Sequence, residues 1–277
     1  MPMTFQAKTG EAYQLKVLAE LLTTNLKTGC FEISEGGIQL RQMDSHRRTL
    51  IDLSLPSLNF CLYRFKGHKK RNLGLNLNHF HRMLKTIKKK DSIEIYIEDE
   101  APNDLVLKAI PKEKSRETTS YVKIQNIQQI ETDVPEGYGK PVIVQSAEFT
   151  KTMKDMLSIG TTIRVSAKNF QICFHCEAGC GIFKRSVVFG EPFIPEEEDE
   201  DEEETPEYCQ EFATEQLVRI TKIAGLCTTM KIFPAPGLPL LFHSRVGSIG
   251  DIKIYVKSKE EIEDESNEPL EDSDPDE

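Results

Sequence analysis

A group of cysteines in the second half of the chain has residue types that could hold a metal ion. Cys173, His175, Cys176 and Cys180 lie close together, and thiolate and imidazole ligands at short spacing suit zinc. A strand through this segment would, however, send Cys173 and Cys176 to opposite faces. No second cysteine pair completes a tetrahedral set at the usual spacing. We interpret these cysteines as buried thiols and predict neither a metal site nor a cofactor.

A run of carboxylates could also attract a divalent cation. Residues 196–207 carry ten carboxylates and no base, but a flexible run lacks the fixed geometry that a catalytic metal requires. The chain has no phosphate-binding loop, no Gly-x-Ser-x-Gly turn and no His-Glu-x-x-His pair. The sequence therefore predicts a protein that is not an enzyme.

Basic side chains recur on the exposed faces of predicted helices. Between Asn78 and Lys90, apolar residues form one stripe and bases at helical spacing form the opposite stripe. Helices predicted near residues 12–22, after Ala147 and over 212–225 show the same division. The bases on these faces are Lys16, Arg82, Lys85, Lys89, Lys151, Lys154, Arg219 and Lys222. The tip of a predicted hairpin, residues 66–71, adds Lys69, Lys70 and Arg71.

This pattern favours contact with a polyanion, although a solvated face is the default for any single helix. Lys and Arg on smooth helical surfaces contact phosphates without reading base edges. The sequence shows no recognition helix, no zinc-finger spacing and no Trp for stacking on single strands. The predicted contact is with a duplex nucleic acid, bound without regard to its sequence.

The formal net charge of −10 conceals a basic body. Residues 196–207 and 260–277 together hold 21 of the 45 carboxylates and no Lys or Arg. The rest of the chain has 24 carboxylates against 35 Lys and Arg, a surplus of eleven positive charges. Acidic runs of this kind cannot bury enough apolar surface to fold. We predict a surface loop at 195–207 and a disordered tail at 259–277.

A helix-plus-hairpin pattern appears twice, 132 to 135 residues apart. The strand that begins at Cys30 and the strand that begins at Thr162 match in their alternating apolar positions, with Ile33 corresponding to Val165. The repeat predicts two similar domains, at 1–127 and 141–258. Pro, Gly and acidic residues at 128–140 are typical of a connector. No long apolar run or signal peptide is present, so we expect an intracellular protein that does not contact a membrane.

Several short segments, collinear over residues 3–258, resemble the family of proliferating cell nuclear antigen, the DNA sliding clamp. They fall on both repeats, and no single one would suffice. In the first half they are Arg41-Gln-Met-Asp-Ser45 with Leu50, Tyr63-Arg64, and Asn72-Leu-Gly-Leu-Asn-Leu77. In the second half they are Ser146-Ala-Glu-Phe149, Lys154-Asp155, Ile159-Gly160, Pro239-Leu-Leu, and Ile249-Gly-Asp-Ile-Lys-Ile-Tyr255.

The resemblance implies an α+β fold of two clamp-type domains, with antiparallel sheets outside and helices inside, assembled as a homotrimeric ring of six domains. It implies a processivity factor for DNA replication and repair that encircles duplex DNA and tethers DNA polymerase and other proteins. The alternative function is a clamp-fold regulatory or transcription scaffold that does not encircle DNA. The expected location is the nucleus, or a cytoplasmic replication site if the protein is viral.

The resemblance also implies two protein-binding surfaces. Residues that match the family's groove for short partner peptides are Met43, Leu50, Val134, Pro135, Tyr138, Pro239 and Tyr255. Domain core is the alternative interpretation for Leu50 and Pro239. Residues on the strands that match the subunit interface are Tyr121, Ile182 and Lys184.

The sequence departs from the family in the groove. Arg48 stands where an apolar residue is usual, Lys257-Ser-Lys259 replaces Ala-Pro-Lys, and the connector is one residue shorter between Val134 and Tyr138. These departures predict an altered preference for partner peptides, and divergence of this size suits a viral member.

Overall fold

The structure is a computed structural model, and it describes residues 2–267 except 68, 114–115, 129, 131, 169, 180 and 191–206. The predicted acidic loop therefore lies outside the described residues, apart from the exposed Glu207. The strands are β1 (Met3–Thr9), β2 (Thr28–Ser34), β3 (Gly37–Met43), β4 (Thr49–Pro56), β5 (Leu62–Phe65), β6 (Arg71–Asn76), β7 (Ser92–Glu98), β8 (Asp104–Ile110), β9 (Thr118–Lys123), β10 (Val142–Gln145), β11 (Thr162–Lys168), β12 (Gln171–Ala178), β13 (Phe183–Phe189), β14 (Tyr208–Ala213), β15 (Thr229–Phe233), β16 (Leu240–Val246) and β17 (Gly250–Val256). The helices are α1 (Ala12–Asn25), α2 (Leu77–Leu84), α3 (Ser146–Leu157), α4 (Thr214–Arg219) and α5 (Lys259–Asn267), with 3-10 turns at Ser57–Asn59 and Thr221–Gly225.

The strands arise from alternating apolar residues. In β7, Ile93, Ile95 and Ile97 are buried while the residues between them are partly exposed, as a sheet with one covered face requires. The two predicted hairpins are present as β2–β3 and β11–β12. Gly37 opens β3 at φ 140°, where a Cβ would lie 2.3 Å from the Leu55 carbonyl oxygen. Only glycine fits that turn.

Three antiparallel sheets form, and the largest of them joins the two halves of the chain. The sheet orders are β5-β1-β7-β8-β9, β10-β15-β16-β17-β4-β3-β2-β6 and β13-β12-β11-β14. In the eight-stranded sheet β4 pairs with β17, so that Leu50 lies opposite Tyr255 and Ile51 opposite Ile254. The predicted α+β class with antiparallel sheets is thereby confirmed, and the two halves share one continuous sheet.

Helices α1 to α4 cover one face of the sheets and bury their apolar residues there. Buried residues of α1, among them Leu15, Leu18 and Leu22, join the same core as Leu53, Ile252 and Phe242 of the eight-stranded sheet. The prediction of one long helix from Asn78 to Lys90 is wrong, because α2 ends at Leu84 and Lys89 lies beyond it. The chain turns there, with the backbone N–H of Lys88 donating to the Asp91 carboxylate.

The predicted helix over 212–225 is also divided. Phe212 belongs to β14, and α4 is followed by a 3-10 turn rather than by continuous helix. Ile220 and Ile223 are fully buried, so the tighter turn lets both reach the core on a short segment.

The prediction of disorder throughout 259–277 is wrong for residues 259–267, which form α5. A capping box begins this helix: the N–H of Ser258 donates to the Glu261 carboxylate, and the N–H of Glu261 donates to Ser258 Oγ. Lys259 Nζ also donates to Thr162 Oγ1. The helix packs beside β14, the last strand of its sheet, and thereby covers an edge that could otherwise pair with another chain.

Within the described part of the chain, no helix combines the length and apolar character needed to cross a bilayer.

Candidate functional site

The helices of the two halves form one layer. On one side α1 packs against α2, and on the other it packs against the 3-10 turn at Thr221–Gly225. Thr24 Oγ1 donates to the Arg219 carbonyl oxygen at 2.8 Å. Gly225 lies so close to α1 that a Cβ would come within 2.8 Å of Val17 Cγ1. The close contact fixes the helices of both halves relative to each other.

The bases predicted from the sequence are carried by this layer. All except Lys16 are exposed. Although Lys89 lies outside α2, it stays on the same surface, because Lys16 Nζ and Lys89 Nζ both lie 5.8 Å from the centre of the Tyr13 ring. These are cation–π distances. The exposed bases of the layer are Arg82, Lys85, Lys89, Lys151, Lys154, Arg219 and Lys222.

Lys16 has a structural partner as well as a place in this layer. Its ammonium donates to the carbonyl oxygens of Lys85 at 2.8 Å and of Ile87 at 3.0 Å. These carbonyls lie at the C-terminal end of α2, where a helix leaves acceptors unsatisfied and favours positive charge. Lys16 therefore holds the end of α2 against α1, and its hydrogen-bonding capacity is partly used.

Sequence reasoning missed two members of this surface, Glu20 and His81. Glu20 pairs with Lys222 at 2.5 Å. His81 is partly buried, and burial is the main cause that lowers its pKa; Lys85, Lys16 and Lys222 lower it further, while Glu20 opposes them. His81 lies four residues before Lys85, so helical spacing could have indicated it. Glu20 is distant from Lys222 in sequence, and no local pattern could have paired them.

The predicted basic tip is not joined to the helix layer. β6 separates Arg71 from α2, and its length places the two about 17 Å apart. Lys69 is exposed, but Lys70 pairs with Glu32 at 2.8 Å and Arg71 donates to the Pro102 carbonyl oxygen at 2.5 Å. Much of the charge at the tip is therefore held by the chain itself.

A second apolar cluster lies on the opposite face of the eight-stranded sheet. Its residues occupy one cross-strand row, in which each is the register partner of the next. Five strands contribute, so the row extends about 19 Å. In order across the sheet the residues are Met43, Leu50, Tyr255, Leu241 and Phe233. We call this row the groove floor.

The connector covers part of the groove floor. Val134 and Tyr138 pack against it, and the Tyr138 ring centre lies 6.2 Å from that of Phe233 and 6.0 Å from that of Tyr255. Tyr138 Oη donates to the Pro239 carbonyl oxygen at 2.7 Å. Burial raises the pKa of Tyr138, and it raises the pKa of Tyr255 to about 12. Both phenols therefore stay neutral, and the floor is an apolar surface with hydroxyl groups at its margin.

Six of the seven residues expected in the groove are brought together: five belong to this cluster, and the Pro239 carbonyl oxygen accepts a hydrogen bond from Tyr138. Leu50 and Tyr255 are each only 2% exposed, yet they belong to this separate cluster rather than to the main core. Pro135 and Pro239 are half-buried. Leu241 and Phe233 were missed, because in sequence they look like ordinary alternating strand residues.

Two strands at sheet ends carry exposed apolar side chains. β9 and β13 each have a single neighbouring strand within the described chain. Tyr121 on β9 is 64% exposed and Phe183 on β13 is 67% exposed. Ile182 and Lys184 are also exposed, with Ile182 in the turn before β13. Large exposed apolar side chains on unpaired edge strands are typical of edges that pair with a strand of another chain.

The cysteines of β12 follow the predicted alternation. Cys176 is buried and its thiol lies against the Met156 carbonyl oxygen, whereas Cys173 is only partly buried. Burial raises the pKa of both thiols, and a hydrogen bond with Ser166 opposes the shift at Cys173. Cys180 lies outside the described residues.

Comparison with known families accounts for this arrangement. Residues 4–134 match the N-terminal domain of proliferating cell nuclear antigen, and residues 134–259 match its C-terminal domain. The chain belongs to the proliferating cell nuclear antigen family. The fold is also similar to that of the proliferating cellular nuclear antigen from Entamoeba histolytica, with a TM-score of 0.80 at 19% sequence identity over 93% of this chain and 100% of the other.

The two matches to the proliferating cell nuclear antigen family together include both the helix layer and the groove floor. The matched domains meet at residue 134, within the connector that covers the groove floor. The helix layer and the groove floor lie on opposite faces of the sheet that the two domains share.

Proposed function

We propose that this protein is a DNA sliding clamp and is not itself an enzyme. Three copies close into a ring of six domains, duplex DNA passes through the ring, and DNA polymerase with other replication and repair proteins is tethered outside. The observation that carries this proposal is the single helix layer, which presents bases from both domains on one face while the groove floor lies on the other. Such a protein acts inside the cell, where DNA is replicated.

The proposed DNA contact depends on charge alone. The helix layer offers Lys and Arg side chains, which attract phosphates irrespective of base sequence. Weak contacts of this kind permit movement along DNA but do not hold it for long. Closure of the ring supplies retention, so the individual contacts can remain weak. Lys16 and Lys222 contribute positive potential, although both already have partners within the chain.

The proposed ring closes by pairing β9 of one copy with β13 of the next. Two different edges then meet at every interface, and this head-to-tail contact forms a ring when the rotation closes. Tyr121 and Phe183 would become buried there, together with Ile182 and Lys184. Pairing would also remove two free sheet edges at once.

The groove floor is the proposed docking site for partner proteins. A short segment with an aliphatic and an aromatic anchor can bury both on an apolar row of this length. Met43 and Val134 at its margin are partly exposed, so an incoming side chain can reach them. The same residues could not serve DNA, because they lie on the other face of the sheet.

Dissociation from DNA with free and blocked ends tests encirclement. The protein is allowed to thread onto a linear duplex biotinylated at both ends, and streptavidin is then added to half of the sample. In high salt, which removes charge contacts, the blocked duplex should retain the protein and the free-ended duplex should lose it. Restriction cleavage of the blocked duplex should release it. Protein threaded onto a linear duplex that is then ligated into a closed circle should likewise be held longer than on the same duplex left linear.

Equal dissociation from blocked and free ends would contradict encirclement. A clamp-fold scaffold that does not surround DNA predicts that result. The mass in solution further distinguishes the encircling ring from this scaffold, because the ring requires three times the 31.5 kDa of one chain.

A further inference from the structure

A charged row borders the groove floor on the same face of the sheet. On each of the five strands, the residue two positions from the floor residue is the register partner of its equivalent on the next strand. Side chains two residues apart point to the same face, and the rows lie about 7 Å from each other. In order the residues are Arg41, Asp52, Lys253, His243 and Lys231. We call this the charged row.

The charged row is positive and partly unpaired. Arg41 contacts Asp52 at 3.3 Å, and His243 Nε2 lies 3.2 Å from Asp251 Oδ1. Lys253 and Lys231 are exposed, and neither forms an ion pair with any residue that the structure describes. A carboxylate approaching Lys253 would therefore gain a partner without displacing an existing one.

The charges of this row act on the groove floor. Burial is the main cause of the raised pKa of Tyr255, and Asp52 adds to it while Arg41 opposes it. Tyr255 is thus within electrostatic reach of both. A partner segment that covers Tyr255 would bring its neighbouring side chains close to Arg41 and Lys253.

The opposite border of the groove floor is mixed in charge, because the exposed Arg48 and the half-buried Lys257 are backbone partners two residues beyond Leu50 and Tyr255. β17 runs from Lys253 in the charged row, through Tyr255 in the floor, and on to α5. Glu260, Glu263 and Asp264 of α5 are exposed. Burial raises the pKa of Tyr138, and Glu261 of α5 contributes to that increase. Glu265 of α5 pairs with Lys257, whereas Arg48 forms no ion pair with any described residue, so this border carries both signs of charge.

We propose that the charged row selects partner segments that carry Asp or Glu beside their apolar anchor. The acidic flank lies over Arg41 and Lys253, and Lys253 has no ion-pair partner among the described residues. Complementary charge of this kind contributes mainly to specificity and orientation. This inference rests on the proposed docking function of the groove floor.

Synthetic peptides test the inference on the full-length protein. All share one aliphatic–aromatic anchor, and a short run of Glu, Gln or Lys is placed on either side of it. In fluorescence anisotropy at low salt, a Glu flank on one side should bind about fivefold more tightly than the Gln flank, as two exposed ion pairs allow. The preference should disappear in high salt, because exposed charges are screened.

Three variants test whether the charged row causes this preference. Arg41→Gln combined with Lys253→Gln should abolish the preference for Glu and leave the affinity of the Gln peptide unchanged. Lys168→Gln removes an exposed charge on β11, outside the eight-stranded sheet, and should keep the wild-type preference. Met43→Ser, at the margin of the floor, should weaken all peptides alike.

The outcomes separate the inference from the function on which it rests. Binding of all peptides with equal affinity, or an unchanged preference in the double variant, would overturn the role of the charged row and leave the groove intact. Failure of every anchor peptide to bind the wild-type protein would overturn the groove and this inference with it.

Discussion

Glu20 on α1 and Lys222 in the 3-10 turn after α4 form an ion pair across the two domains, with 2.5 Å between Glu20 Oε1 and Lys222 Nζ. The pair lies in the helix layer that carries the exposed bases. Glu20 therefore weakens the positive potential of a surface that we propose contacts phosphate, and it holds a lysine that phosphate would otherwise attract.

Glu20→Gln is expected to strengthen DNA binding. It removes one negative charge and frees Lys222, so affinity for a short duplex at low salt should rise about threefold, the scale of one exposed pair. Anisotropy titration measures it, with Glu98→Gln on β7 as the matched control. Unchanged affinity in Glu20→Gln would show that this part of the layer does not meet DNA.

Arg82→Ala combined with Lys85→Ala is expected to weaken DNA binding at every sequence tested. Loss of two phosphate contacts should lower the slope of log affinity against log salt by about 2. Mass in solution should not change. Lys231→Ala with Lys253→Ala removes the same charge from the opposite face of the sheet and serves as the control. A wild-type salt slope in the Arg82 and Lys85 variant would place these residues away from DNA.

Phe183→Asp is expected to reduce the assembly to single chains. Phe183 is exposed in one chain, and burying a carboxylate in its place at a subunit interface is costly. Light scattering should then give 31.5 kDa, while circular dichroism confirms the fold. Leu58→Asp controls for a new surface charge. Leu58 is 94% exposed and lies in the 3-10 turn before β5, which stands at the opposite end of the five-stranded sheet from β9. A trimer that persists in Phe183→Asp would contradict pairing at β13.

His81 is expected to make the folded protein less stable in acid. Its pKa in the folded state is lowered by burial and by neighbouring lysines, so below its ordinary value of 6.5 the unfolded chain binds more protons. The free energy of unfolding should therefore fall as pH falls through that value, and His81→Gln should flatten this part of the profile. Urea unfolding between about pH 7.5 and 5.5 measures it.

The matched control for this experiment is His46→Gln in the exposed β3–β4 loop, which should keep the wild-type profile. Bound phosphate favours protonated His81, so DNA binding should tighten on acidification in the wild-type protein and less so in His81→Gln. If the free energy of unfolding of His81→Gln changed with pH as that of the wild-type protein does, burial of His81 would not be the cause of the pH dependence.

Much of the fold was predictable because it depends on local periodicity. Alternation at Ile33 and Val165 predicted both hairpins, and helical spacing predicted α1 and the start of α2. Errors arose at the ends of elements. Residues 85–90 lack a strong stop signal, and only the burial of Ile87 and the Asp91 hydrogen bond end the helix. For α5, composition suggested disorder, but the Ser258–Glu261 capping box and the contact with β14 stabilise the helix.

The sequence by itself determined the two-domain repeat, the two hairpins and the presence of bases on helical faces, because each depends on residue type at a regular spacing. The α+β class with antiparallel sheets was implied by the resemblance to the clamp family. The tertiary structure alone decided which residues meet. The groove floor joins Met43 to Phe233 through strand registers, and Glu20 reaches Lys222 only because α1 packs against the second domain. Contacts between residues far apart in the chain depend on register and packing, and neither is written in any local pattern.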